Sequence, residues 1–143
     1  QPVFWNFSRL PGNYSYSIDI LKSKTMKIEG RAGILKIYMG ESDKVQGRPL
    51  FEEIVFEARK AGMAGATVFK GIMSFGASHS VHTLKIFALS GDLPVAVEIV
   101  DTVEKLDKFT SRVNELMDQS QKGGLVTFQE VDVLRYKVGE KYK

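Results

Sequence analysis

Twice along this chain a short apolar stretch with strand character is followed by a segment whose apolar residues recur at helical spacing, and then by a further strand. That doubled unit leaves few folds open. The first unit is the clearer. Residues 34–39, Ile-Leu-Lys-Ile-Tyr-Met, form a β-prone run ended by Gly40. A polar loop from Glu41 to Gly47 leads to Pro49, which suits a first helical position because the N–H it lacks would have no partner there. Leu50, Phe51, Ile54, Val55, Ala58 and Ala61 then recur at helical spacing. Glu52 and Glu53 sit near the positive end of the helix dipole, Arg59 and Lys60 near the negative end, and Gly62 supplies a stop. Residues 66–73 give the next strand.

The second unit repeats the order. Residues 83–89 alternate Leu84, Ile86 and Ala88 on one face, and 94–100 form a nearly continuous apolar strand. Asp101 followed by Glu104 reads as a capping box. Val103, Leu106, Phe109, Val113, Leu116 and Met117 make the apolar stripe of the helix behind it. Lys122-Gly123-Gly124 breaks that helix, and a last strand runs through Val131, Val133 and Tyr136. The order strand, helix, strand, loop, strand, helix, strand predicts an α+β, ferredoxin-like βαββαβ sandwich. Its antiparallel sheet carries both helices on one face, with extra short strands. Phe51, Phe69, Phe87 and Phe109 fall on the faces expected to be buried.

Residues 1–30 read as an N-terminal extension, native or vector-derived. Phe4, Trp5 and Phe7 cluster ahead of a Pro11-Gly12-Asn13 turn, and Tyr14, Tyr16, Ile18 and Ile20 alternate like an edge strand or a segment packed on a neighbouring subunit. Residues 31–138 make the folded domain and 139–143 a basic tail, within a length suited to one core. A net charge of +3 is too small to argue for nucleic acid. The absence of cysteine removes disulfides, thiolate nucleophiles and cysteine-ligated zinc. No apolar run approaches the roughly 20 residues that span a bilayer, so no membrane insertion is expected and a cytoplasmic protein is the default.

Enzymatic motifs are missing: there is no Gly-x-Ser-x-Gly elbow, His-Glu-x-x-His helix or Walker loop. Glu41 and Asp43 offer an acid–base pair or simply a solvated loop. The two histidines, His79 and His82, stand three apart in the loop 74–82. They are weak metal candidates, or ordinary loop residues. Glycine corners say more, because glycine lets a ligand approach the backbone and turns N–H groups toward phosphates. Gly71 and Gly76 flank one such corner and Gly123-Gly124 another, although a glycine pair after a helix is commonly only a cap. The strand carrying Val131 and Val133 lacks the Lys/Arg-Gly-Phe pattern of an RNA-binding sheet, so no nucleic-acid partner is expected.

Leu35 to Tyr136 resembles the PII-like signalling proteins, especially their uncharacterised branch with a short central loop. The resemblance is carried by Ile37-Tyr38-Met39-Gly40-Glu41-Ser42-Asp43-Lys44, by Gly65-Ala66-Thr67-Val68-Phe69-Lys70-Gly71-Ile72-Met73-Ser74-Phe75-Gly76, and by Asp92-Leu93-Pro94-Val95-Ala96-Val97-Glu98-Ile99-Val100-Asp101. It implies a non-enzymatic homotrimer holding adenine nucleotides in clefts between subunits. Thr67 matches the position facing the adenine, and Val100 the backbone that reads the base edge. Phe75-Gly76 match the base of the central loop, and Lys122-Gly123-Gly124 the turn after the second helix. Arg135 and Lys137 resemble a basic pair near the phosphates, a role that suits a bidentate guanidinium.

Departures from that pattern narrow the ligand. Ala77 and Ser78 stand where authentic PII proteins carry an arginine and a glutamine that organise phosphate, magnesium and 2-oxoglutarate. Thr127-Phe128-Gln129-Glu130 replaces a phosphate-gripping Gly-Asp-Gly-Lys stretch. The loop 74–82 is shorter than its PII counterpart and lacks the modifiable tyrosine, while still offering a surface to a regulated partner protein. AMP or ADP, with fewer charges to neutralise than ATP, is the expected ligand. A metal-binding or metal-sensing trimer of related fold, using His79 and His82, is the alternative.

Overall fold

The computed structural model describes residues 28–76, 82–83 and 92–142. Strand β1 (Ala32–Gly40) forms the centre of the sheet, with Leu35, Ile37 and Met39 buried on one face. The stretch expected to be a plain polar loop instead makes a tight hairpin of β2 (Lys44–Val45) and β3 (Arg48–Pro49). Gln46 and Gly47 both have positive φ, 50° and 78°, the geometry of a two-residue hairpin turn with the sheet's own twist. Val45 is thereby pushed into the core.

Helix α1 (Leu50–Lys60) buries Leu50, Ile54 and Ala58. Pro49 is its cap rather than its first residue, with ψ at 127°. At the other end Met63 N–H bonds to the Ala58 carbonyl and Gly62 N–H to the Arg59 carbonyl, both at 3.0 Å, with Gly62 at φ 72°. This is the paired-bond stop that a left-handed glycine makes possible.

Strand β4 (Gly65–Lys70) is shorter than the sequence suggests. Its partner β7 (Pro94–Thr102) begins at a proline, so the ladder closes with Gly71 N–H on the Pro94 carbonyl at 2.7 Å. The chain then leaves the sheet. Met73–Ser74 (β5) pairs with His82–Thr83 (β6), giving the ends of the expected loop a short ladder. The strand expected over 83–89 otherwise lies outside the described residues, as do Phe87 and most of the N-terminal extension.

Helix α2 (Val103–Ser120) buries Val103, Leu106, Phe109, Val113 and Leu116 as its spacing foretells. Its cap is displaced by one residue from the expected capping box. Thr102 Oγ1 accepts from Lys105 N–H at 3.4 Å, while Asp101 belongs to β7. The alternation that buries Val95, Val97 and Ile99 also turns Asp101 inward. Its carboxylate is 1% exposed and accepts from Ala64 N–H (2.8 Å), Thr102 N–H (2.6 Å) and Lys105 Nζ (3.4 Å). The helix ends at Gln121, a non-glycine residue at φ 57°, just ahead of the glycine pair.

The last strand, β8 (Leu125–Val131), stops earlier than expected and leaves Val133 and Tyr136 outside it. Val131 pairs with Ala32, the first residue of β1, so there is no partner beyond. The sheet order is β4-β7-β1-β8, every pairing antiparallel, with the core between one face and the two helices. This is the ferredoxin-like arrangement that the element order predicts.

Candidate functional site

The register of the sheet arranges its helix-free face into three rows. Phe69, Ala96, Tyr38 and Leu125 lie side by side in one, and Thr67, Glu98, Lys36 and Thr127 in the next. Gly65, Val100, Ile34 and Gln129 complete the third. The first row is apolar and open, with Tyr38, Phe69 and Leu125 respectively 41%, 51% and 56% exposed. Phe69 is therefore not a core residue as expected; it falls on the other side of the pleat from Ala66 and Val68. The middle row holds an ion pair, Lys36 Nζ to Glu98 Oε1, at 3.3 Å. The sequence carries a signal of this face. β1 carries Ile34 and Tyr38 on this face as well as Leu35, Ile37 and Met39 on the other, an apolar content beyond that of a strand with one wet face, interrupted only by Lys36.

The sequence-predicted residues divide between the two ends of this sheet. Val100 lies on the open face toward the end where β1 begins, and Thr67 one row further in, level with Lys36. Arg135 and Lys137 reach that same end, because the chain after β8 crosses to the start of β4 and Tyr136 OH donates to the Ala64 carbonyl at 2.6 Å. Phe75 and Gly76 follow the opposite end of β4. Lys122, Gly123 and Gly124 lead into the start of β8, also at that opposite end. Three strand spacings, about 14 Å, separate these last two groups across the sheet, and the six steps from Pro94 to Val100 span about 20 Å along it. One chain thus gathers the base-facing and basic residues but holds both glycine corners apart from them.

The glycines differ in what demands them. A Cβ on Gly124 would strike the Met117 methyl and come within 2.8 Å of the Tyr38 carbonyl, so packing inside the chain explains it. Gly71 is likewise crowded, with Pro94 Cγ at 2.8 Å. Gly76 and Gly123 face open space and adopt no positive φ. Gly124→Val is accordingly expected to lower unfolding free energy by about 2 kcal/mol, whereas Gly123→Ala should shift it by less than about 0.5 kcal/mol. Urea unfolding of the two variants checks both values.

Glu41 and Asp43, the candidate acid–base pair, are engaged in holding the turn beyond β1. Glu41 Oε1 meets Lys70 Nζ at 3.0 Å and Asp43 Oδ2 accepts Gly40 N–H at 3.0 Å. Asp92 closes the same corner by accepting from Ser42 Oγ at 2.6 Å. His82 pairs with Ser74 through the β5–β6 ladder, and His79, Ala77 and Ser78 lie outside the described residues. Among the described residues no group of three or more His, Asp and Glu is placed to hold a metal ion, and no helix is long and apolar enough to cross a membrane. On the helix layer, burial pushes the Asp107 carboxyl above its ordinary range against the pull of Lys108. Hydrogen bonds to Glu115 and Glu57 raise the Arg112 guanidinium. A cleft of about 670 Å³ beside Ile28, Ala32 and Val131 contains none of the sequence-predicted residues, and its Arg31 and Glu130 neutralise one another.

A four-stranded antiparallel sheet of this order, backed by two helices and, among the described residues, open on its other face, is the fold of PII-like proteins. Structures of CPII, a nitrogen regulatory PII-like protein from Thiomonas intermedia K12, match it. The form bound to ADP, AMP and bicarbonate has a TM-score of 0.58 at 15% identity, covering 76% of this chain and 94% of that one. The form bound to ADP and bicarbonate has a TM-score of 0.54 at 17% identity, covering 76% and 95%. At these identities the likeness is one of fold. The chain belongs to the DUF190 family, "Uncharacterized ACR", whose model matches residues 32–133. A UPF0166 protein of Methanocaldococcus jannaschii is 36% identical over 113 residues, covering 79% of this chain and 98% of the relative. A UPF0166 protein of Aquifex aeolicus is 32% identical over 101 residues, covering 71% and 91%. The expected membership of an uncharacterised family is borne out, and the likeness to PII-like proteins holds at the level of fold.

Proposed function

We propose that this is a PII-like regulatory protein of the cytoplasm that binds AMP or ADP in clefts between the subunits of a homotrimer, acting by binding and not by catalysis. The observation that carries this reading is the division of the site. Val100, Arg135 and Lys137 collect at one end of the sheet with Thr67 one row further in, while Gly76 and Gly123, the corners with open space before them, stand at the other. A site using both groups needs a second copy, and the apolar row of the helix-free face offers the surface on which copies meet. The adenine nucleotides bound by CPII support the ligand class. Bound nucleotide would alter the surface that Ile72, Met73 and Phe75, all more than 60% exposed, present to a regulated partner together with the loop 74–82.

Calorimetric titration of the assembled protein with AMP, ADP and ATP tests the reading. AMP and ADP are expected to bind, with ATP at least about tenfold weaker because the cations for a third phosphate are missing. Absence of heat with all three would overturn nucleotide binding and leave the fold intact.

A further inference from the structure

Beyond Val131 the chain runs without regular structure across the end of the sheet, from the β8 edge to the β4 edge. Tyr136, half-buried, fastens it there by donating its hydroxyl to the Ala64 carbonyl at 2.6 Å. The anchor is itself fixed, because the buried Asp101 carboxylate accepts Ala64 N–H at 2.8 Å. Both backbone groups of the Ala64 peptide neighbourhood are thus committed, one to the core and one to the strap.

The residues flanking Tyr136 are not equivalent. Lys137 Nζ stands 4.0 Å from Glu140 Oε1, so its charge is partly answered within the strap. Arg135 is exposed and makes no ion pair among the described residues. Gly65 directly follows the anchor and Thr67 lies three residues from it, about 10 Å along the strand. That span is comparable with a nucleotide's base-to-phosphate reach. A guanidinium on a loose tail would have to be ordered at the moment of binding, which weakens affinity; one already tied to the sheet avoids much of that cost.

We infer that Tyr136 is a positioning residue: its latch on Ala64 holds the C-terminal strap so that Arg135 meets the phosphate of a nucleotide whose base lies by Thr67. This rests on the nucleotide-binding reading above. Its test is calorimetric titration of AMP, ADP and adenosine into the assembled wild type, Tyr136→Phe, Arg135→Ala and the double variant. Tyr136→Phe is expected to weaken AMP and ADP about fivefold, the effect of one hydrogen bond, and to leave adenosine unchanged. Arg135→Ala should weaken the nucleotides at least as much, and the double variant no more than Arg135→Ala alone, since the latch acts through that arginine. Wild-type affinity in Tyr136→Phe, an equal loss for adenosine, or additive losses in the double variant would each overturn the positioning role. A wild type that binds neither AMP nor ADP would instead remove the nucleotide reading itself, and this inference with it.

Discussion

Substituting Tyr38 by Asp is expected to separate the assembled protein into single chains without unfolding them. Tyr38 stands on the central strand in the apolar row with Phe69, Ala96 and Leu125, and 41% of it is exposed in the isolated chain. A carboxylate there remains hydrated in one chain, so the fold loses little. In a trimer closed over this face the same carboxylate is desolvated in every copy, beside a Lys36 already paired with Glu98, at a cost of several kcal/mol per copy. Light scattering should report a mass near the 16.0 kDa chain for Tyr38→Asp and three times that for wild type. Phe56→Asp is the control. Phe56 is 59% exposed on α1, in the layer backing the other side of the sheet, and its substitution should leave the assembly whole. A wild type that is monomeric at micromolar concentration, or a Tyr38→Asp variant as large as wild type, would remove the helix-free face as the meeting surface.

Removing the Asp101 carboxylate should produce the largest loss of stability outside the apolar core. Asp101→Ala leaves Ala64 N–H and Thr102 N–H without their acceptor and takes from Lys105 its ion-pair partner, though Lys105 Nζ keeps the Gly62 carbonyl at 2.7 Å. Buried donors stranded in this way cost about 1 to 3 kcal/mol each, so the expected total is about 3 kcal/mol after local relaxation. Asp101→Asn retains an acceptor for one of the two amides and should lose roughly half as much. Urea unfolding is best followed in the Tyr38→Asp background, where the midpoint does not depend on subunit concentration. An Asp101→Ala midpoint within error of its parent would show that this network contributes nothing. The loss should also loosen residues 62–65 and with them the Tyr136 latch, so nucleotide affinity ought to fall alongside stability.

How much of this could be read beforehand differs by element, for physical reasons. Helix α1 was legible because every local signal agreed: acids first, bases last, apolar residues at helical spacing and a left-handed glycine at the end. β1 and β7 were legible as apolar runs, since length and flanking turns define such strands without help from tertiary structure. The last strand reads too long, because the sequence of β8 gives no sign that its neighbour β1 begins only at Ala32. Asp101 reads as a cap because a capping oxygen and a buried acceptor oxygen look alike in sequence, and here they stand on adjacent residues, Thr102 and Asp101. Phe69 reads as a core residue because an aromatic in a strand looks alike on either side of the pleat. For the candidate site, motif resemblance supplied the residues and the fold supplied their grouping. Neither the Ala64–Tyr136 bond nor the separation of the glycine corners is visible locally, since both depend on contacts dozens of residues apart in the chain.

The Lys36–Glu98 pair crosses the middle of an otherwise greasy panel, with Thr67 and Thr127 on either side of it. Any molecule that closes over the panel must bring polar groups at mid-height and oil above them. A partner slipped by two residues along the strands would press a bare ammonium or carboxylate against the Tyr38 and Leu125 row and be refused. In a trimer closed on this face the stripe of charge would work as a tumbler in a lock, admitting only surfaces cut to the same height.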